Sequence, residues 1–128
     1  MALVFIYTTT ATMKDAEKLA EILIKQQLAA CVSVGEKVKS HYVWQGIAEW
    51  AEEYPLTIKT SVENQQLVCD FIRNHHPYEV PEIVCLPVLY ASDEYQQWVE
   101  KQVSGSLKTT ASWKNLANRN FYKKRQYS

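Results

Sequence analysis

The 128 residues balance 14 basic against 14 acidic side chains and are 47% hydrophobic with three glycines, which suits one domain around one core. No run of about 18 apolar residues occurs that would span a membrane, and residues 1–7 lack the basic stretch that opens a secretory signal. Six basic groups and no acid fall in the last 21 residues, leaving eight basic groups against all 14 acids in the first 107, a net of six negative charges.

Residues 2–9 alternate Leu3, Phe5 and Tyr7 with Val4 and Ile6. A strand with no polar face is expected at the centre of a sheet, covered on both sides. Thr12 with Asp15 three residues later predicts a helix start. The stripe Ala16, Leu19, Ala20 and Leu23 faces inward, and the helix ends at Gln27-Leu28. Residues 29–34 form a second apolar strand that resumes after Gly35 as residues 38–44. Gln45-Gly46 predicts a hairpin tip. Residues 47–60 return as a third strand, interrupted at Pro55, with Leu56 and Ile58 toward the core. A second helix over 63–75 buries Leu67, Val68, Phe71 and Ile72. Pro77 keeps His76 out of the helical region, so this helix stops at Asn74 or His75. Pro81 and Pro87 punctuate the apolar run Ile83 to Leu89, and a strand carrying prolines belongs at a sheet edge or carries a bulge. Ser92, with Asp93 and Glu94 after it, caps a third helix with Tyr95, Trp98, Val99 and Gln102 along one side.

The order β-α-β-β-α-β plus one helix predicts an α+β, ferredoxin-like two-layer sandwich with an extra C-terminal helix. Its helices cover one sheet face, yet the first strand is apolar on both. Partner subunits are the simplest cover for the other face, which predicts an oligomer. The domain is placed at residues 1–105. The tail, 106–128, interleaves six cations with Trp113, Phe121, Tyr122 and Tyr127. That pattern can bind single-stranded nucleic acid, but a flexible extension lying on the acidic body, or expression-derived sequence, is favoured over a nucleic-acid site.

Chemistry concentrates on the stretch His75-His76-Pro77-Tyr78-Glu79-Val80-Pro81-Glu82. Imidazole is a common ligand for copper and zinc, whereas a histidine at a helix C-terminus also has a purely electrostatic role. The three cysteines, Cys31, Cys69 and Cys85, are odd in number and widely spaced. They argue against a disulfide framework and for the reducing cytoplasm. Cys69 and Cys85 read as structural. Lys59, Tyr78, Glu79 and Tyr90 suit a small anion or an inter-subunit salt bridge. No nucleophile elbow or phosphate loop occurs, so an enzyme is not expected. A small enzyme built on Lys59, Tyr78 and Glu79 is the remaining catalytic alternative.

The segments Leu28-Ala29-Ala30-Cys31-Val32, Tyr42-x-Trp44-x-Gly46, Ile58-Lys59-Thr60 and His76-Pro77-Tyr78-Glu79-Val80-Pro81-Glu82-Ile83 together resemble the CutA family of divalent-ion-tolerance proteins, over roughly residues 2–104. The resemblance implies a very stable homotrimer, similar in assembly to PII signalling proteins, with clefts between subunits. It implies a role in tolerance to copper or another divalent metal. Carried over by position, the cleft residues are Cys31, Trp44, Lys59, Tyr78, Glu79 and Tyr90, and His75 and His76 are the metal positions. A PII-like trimer that senses a small anionic ligand is the alternative function.

Overall fold

The computed structural model describes residues 2–104; the tail and its predicted boundary lie outside them. Along these residues run β1 (Leu3–Thr10), α1 (Met13–Lys25), β2 (Cys31–Val34), β3 (Val38–Trp44) and β4 (Ile47–Ser61). After a 3-10 turn (Val62–Asn64) come α2 (Gln65–His75), β5 (Val84–Pro87) and α3 (Asp93–Ser104). The antiparallel sheet has the order β2-β4-β1-β5, with β3 paired to the outer half of β4. This is the ferredoxin-like order: β1 is central, and the proline-bearing β5 is an edge.

Local chemistry sets the element ends. Thr12 is extended, and its hydroxyl accepts from the Asp15 backbone N–H at 3.1 Å, which satisfies one orphan donor of α1. Gln27 then adopts a left-handed φ of 57°, which lets Leu28 N–H reach Leu23 C=O. Gln45 and Gly46 both have positive φ, 51° and 81°, the two-residue turn whose twist matches antiparallel strands. Ser92 caps α3 through Tyr95 N–H at 3.2 Å.

β4 runs through Pro55 without the predicted interruption. The reason lies in its neighbours: β3 pairing ends at Val38↔Glu53 and β2 pairing begins at Val34↔Leu56, so Pro55 sits where one partner strand hands over to the other. On that side its carbonyl accepts from Gly35 N–H at 2.8 Å. A Cβ on Gly35 would stand 2.9 Å from Pro55 Cγ, so any larger residue would force a shift at this crossing.

The main core joins Val4, Ile6, Leu56 and Ile58 of the sheet to Ala16, Leu19 and Leu23 of α1 and Val68, Phe71 and Ile72 of α2. Each large side chain fully removed from water here contributes about 1.5–3 kcal/mol. α3 packs against β4 and buries Val99 and Val103. Of the predicted side, Val99 is buried and Trp98 is 44% exposed; the helix turns its Val99 and Val103 edge inward.

Candidate functional site

Strand register divides the sheet into two faces. Val32, Ile58, Ile6 and Cys85 lie in register and face the helices. The next row, Cys31, Lys59, Phe5 and Leu86, faces the other way, as does the row Ser33, Thr57, Tyr7 and Val84. Leu86 and Val84 are 48% and 42% exposed. On this face Leu3 is buried, whereas the β5 side, at Leu86 and Val84, stands open in the single chain.

Lys59 crosses the middle of that face. Its ammonium donates to Ser33 Oγ at 2.7 Å, approaches Cys31 Sγ at 3.6 Å, and lies 6.0 Å from the Phe5 ring centroid. Among the described residues no carboxylate is paired with it. The structure therefore unites two of the predicted cleft residues, Cys31 and Lys59, and adds Ser33, which the sequence reading passed over.

The other polar cluster is closed. His76 is fully buried, and its Nδ1 accepts from the Tyr78 backbone N–H at 3.0 Å. Its Nε2 therefore carries the proton and donates to Thr9 C=O at 2.6 Å. The Tyr78 ring packs beside the imidazole, and its hydroxyl donates to Glu53 Oε2 at 3.2 Å; the Thr9 hydroxyl donates to the same oxygen at 2.7 Å. Glu53, 2% exposed, was not anticipated as a site or core residue. His75 is buried in the last turn of α2, stacked on Phe71 with ring centroids 4.0 Å apart, and its Nδ1 lies 2.8 Å from Phe71 C=O.

The two histidines expected as metal positions, His75 and His76, both lie buried at the end of α2. Both His76 nitrogens are engaged within the chain, and the His75 ring is buried against Phe71. Tyr78, predicted to line a cleft, instead belongs to the buried cluster. Glu79 is exposed, beside a depression of about 310 Å³ shared with Arg73, Val80, Pro81 and Ile83. Trp44 ends β3 at the hairpin tip, and Tyr90 is 84% exposed beyond β5. A second, shallower depression of about 400 Å³ lies along the hairpin by His41, Tyr42, Glu49 and Trp50. One chain does not bring the six cleft residues to one place.

The CutA1 divalent ion tolerance protein family matches residues 4–102. The divalent-cation tolerance protein CutA of Salmonella newport (strain SL254) is 33% identical over 96 residues, covering 75% of this chain and 84% of that protein. Among solved structures, the CutA of Archaeoglobus fulgidus, described as a periplasmic divalent cation tolerance protein, superposes with a TM-score of 0.76 at 33% identity, over 79% of this chain and 98% of that one. CutA1 from Oryza sativa gives 0.78 at 26% identity, over 85% and 97%. The sheet order, the histidine-proline-tyrosine turn and these likenesses agree: the chain belongs to the CutA1 divalent ion tolerance family.

Proposed function

We propose that this protein serves divalent-cation tolerance as a homotrimer that binds a divalent cation, copper first among them, where subunits meet. It acts by binding rather than by catalysis. The observation that carries the reading is the exposure of Leu86 and Val84 on the sheet face shared with Phe5 in a chain of this family, an apolar sheet face of the kind that partner subunits cover. Among the described residues, no group of three or more His, Cys, Asp or Glu side chains gathers within one chain, so a site of that size draws donors from more than one subunit. Cys31, Glu79 and Tyr90 are the accessible donors of the cleft set. The free thiols favour a cytoplasmic setting; among the described residues, no helix is long and apolar enough to cross a membrane.

Light scattering tests the assembly: the expected mass is about 44 kDa, three times the 14.8 kDa chain. Leu86→Lys, which sets a charge on that sheet face, should release monomers. A 15 kDa species at low micromolar concentration for the parent protein overturns the trimer. Titration of Cu(II) and Zn(II) with native mass detection tests the ligand. Stoichiometric uptake supports the cation reading.

A second reading, a PII-like trimer that senses a small anion, is favoured by Lys59, a half-buried ammonium held by a hydroxyl and a thiol with no carboxylate paired to it among the described residues. A thermal shift with inorganic phosphate or a nucleotide, lost in Lys59→Met, together with no metal uptake, would select it.

A further inference from the structure

Two cysteines that the sequence keeps apart meet in the fold. Cys69 on α2 and Cys85 on β5, 16 residues apart along the chain, bring their sulfurs to 3.3 Å. Cys85 lies in the helix-facing row of the sheet, in register with Ile6, and both thiols are half-buried at the rim of the main core. A disulfide requires the sulfurs to close to about 2.05 Å. The two sulfurs stand little more than 1 Å beyond that distance. Cys31 cannot compete, because it faces the opposite side of the sheet beside Lys59.

We propose that Cys69 and Cys85 form a reversible intrachain disulfide site, oxidised by a low-molecular-weight disulfide of the glutathione class. Cys85, on the edge strand, attacks the external disulfide as its thiolate, which releases one thiolate and leaves a mixed disulfide on Cys85. Cys69 then loses its proton, its sulfur attacks the Cys85 sulfur, and a second thiolate departs. Two protein thiols and one external disulfide become one protein disulfide and two external thiols, so electrons and protons balance. The Cys69 proton is held tightly while both thiols are free, chiefly by burial and then by the hydrogen bond with Cys85. Formation of the mixed disulfide removes that hydrogen bond; burial and the Asp70 carboxylate still hold the proton, while the Arg73 guanidinium favours its release.

The crosslink encloses residues 69–85, which include the His75–Pro77 turn, Tyr78 and Glu79. It ties the segment that carries the buried cluster to β5, an edge strand whose strand partner in the sheet is β1. Oxidation therefore clamps this connection between helix layer and sheet edge.

The experiment treats the full-length protein with oxidised glutathione at about pH 8, near the ordinary thiol range, and then alkylates the remaining thiols. The expected product has lost two hydrogens, alkylates at Cys31 alone, and yields on tryptic digestion the peptides 60–73 and 74–101 joined. Dithiothreitol should restore three alkylatable thiols, and the oxidised form should melt several degrees higher. Cys69→Ser should stop at the mixed disulfide, heavier by one glutathionyl group on Cys85. Three reactive thiols persisting in the parent protein, or oxidation running only through Cys31 between chains, would overturn the proposal. A Cys69→Ser protein that oxidises as the parent does would also overturn it. The parent protein alone decides the matter if that variant fails to fold.

Discussion

Substituting His76 separates a folding role from a ligand role. In His76→Ala, the Thr9 carbonyl and the Tyr78 N–H lose their partners, at 2.6 and 3.0 Å, inside a site that is fully closed to solvent. A lost hydrogen bond of this kind costs about 1 kcal/mol, and more where a buried group stays unpaired. The volume vacated by a buried imidazole adds a cavity term of about 2 kcal/mol. The sum is about 4 kcal/mol, a large part of the 5–15 kcal/mol typical of a domain. His76→Asn should cost about half as much, because the Asn side-chain oxygen can occupy the place of Nδ1 and keep Tyr78 N–H while losing the reach to Thr9. The assay is denaturant unfolding at matched protein concentration, with Cu(II) titration of whatever folds. A His76→Ala protein as stable as the parent that has lost copper binding would refute the reasoning and return His76 to the metal positions.

Tyr78→Phe removes the donor at 3.2 Å but leaves Thr9 on the same Glu53 oxygen, so unfolding should register a loss of about 1–2 kcal/mol; Thr9→Val combined with it should cost more than the sum of the two single changes. Gly35→Ala forces a methyl group against the Pro55 ring at 2.9 Å and should cost about 1–3 kcal/mol by overpacking, read as an earlier denaturation midpoint. The Cys69 thiol is pushed from its ordinary 9.0 up to about 12, by burial first and then by its bond to Cys85. The folded state thus keeps that proton longer than the unfolded chain. The contribution is fully present below about pH 9 and is lost as pH rises toward 12. Cys69→Ser should flatten the alkaline fall in stability across that window, and an unchanged slope would count against the shift.

The fold was legible because its signals are local. Thr12 and Ser92 cap their helices through backbone groups three residues on, Pro77 stops α2 at His75, and Gln45-Gly46 makes its turn from two neighbouring residues. The prolines of the last strand put it at an edge, and β5 is an edge. What the sequence concealed depends on contacts made over distance. Glu53 sits in the run Ala51-Glu52-Glu53-Tyr54, where nothing local separates it from exposed Glu52. Its burial follows from Thr9 and Tyr78, 44 and 25 residues away. The acceptor that fixes the His76 tautomer is 67 residues distant. Periodicity places Cys69 on a helix and Cys85 on a strand, but only the packing of α2 over β5 makes them neighbours.

The same distances explain why one motif invited two readings. A histidine pair beside prolines, a tyrosine and carboxylates carries the donors that metals prefer, and it carries equally the donors and acceptors that close a junction between a helix end and the sheet. The choice depends on where the lone pairs point. His76 directs both nitrogens at backbone groups, and Tyr78 directs its hydroxyl at Glu53. The cluster therefore locks the end of α2 to β1 and β4. The donors that remain accessible come from three separate places: Cys31 and Lys59 on the open sheet face, Glu79 on the loop after α2, and Tyr90 beyond β5. A ligand touching more than one of these places must bridge elements that a single chain holds apart, so ligand affinity should depend on protein concentration through assembly. The buried cluster, complete within one chain, should not.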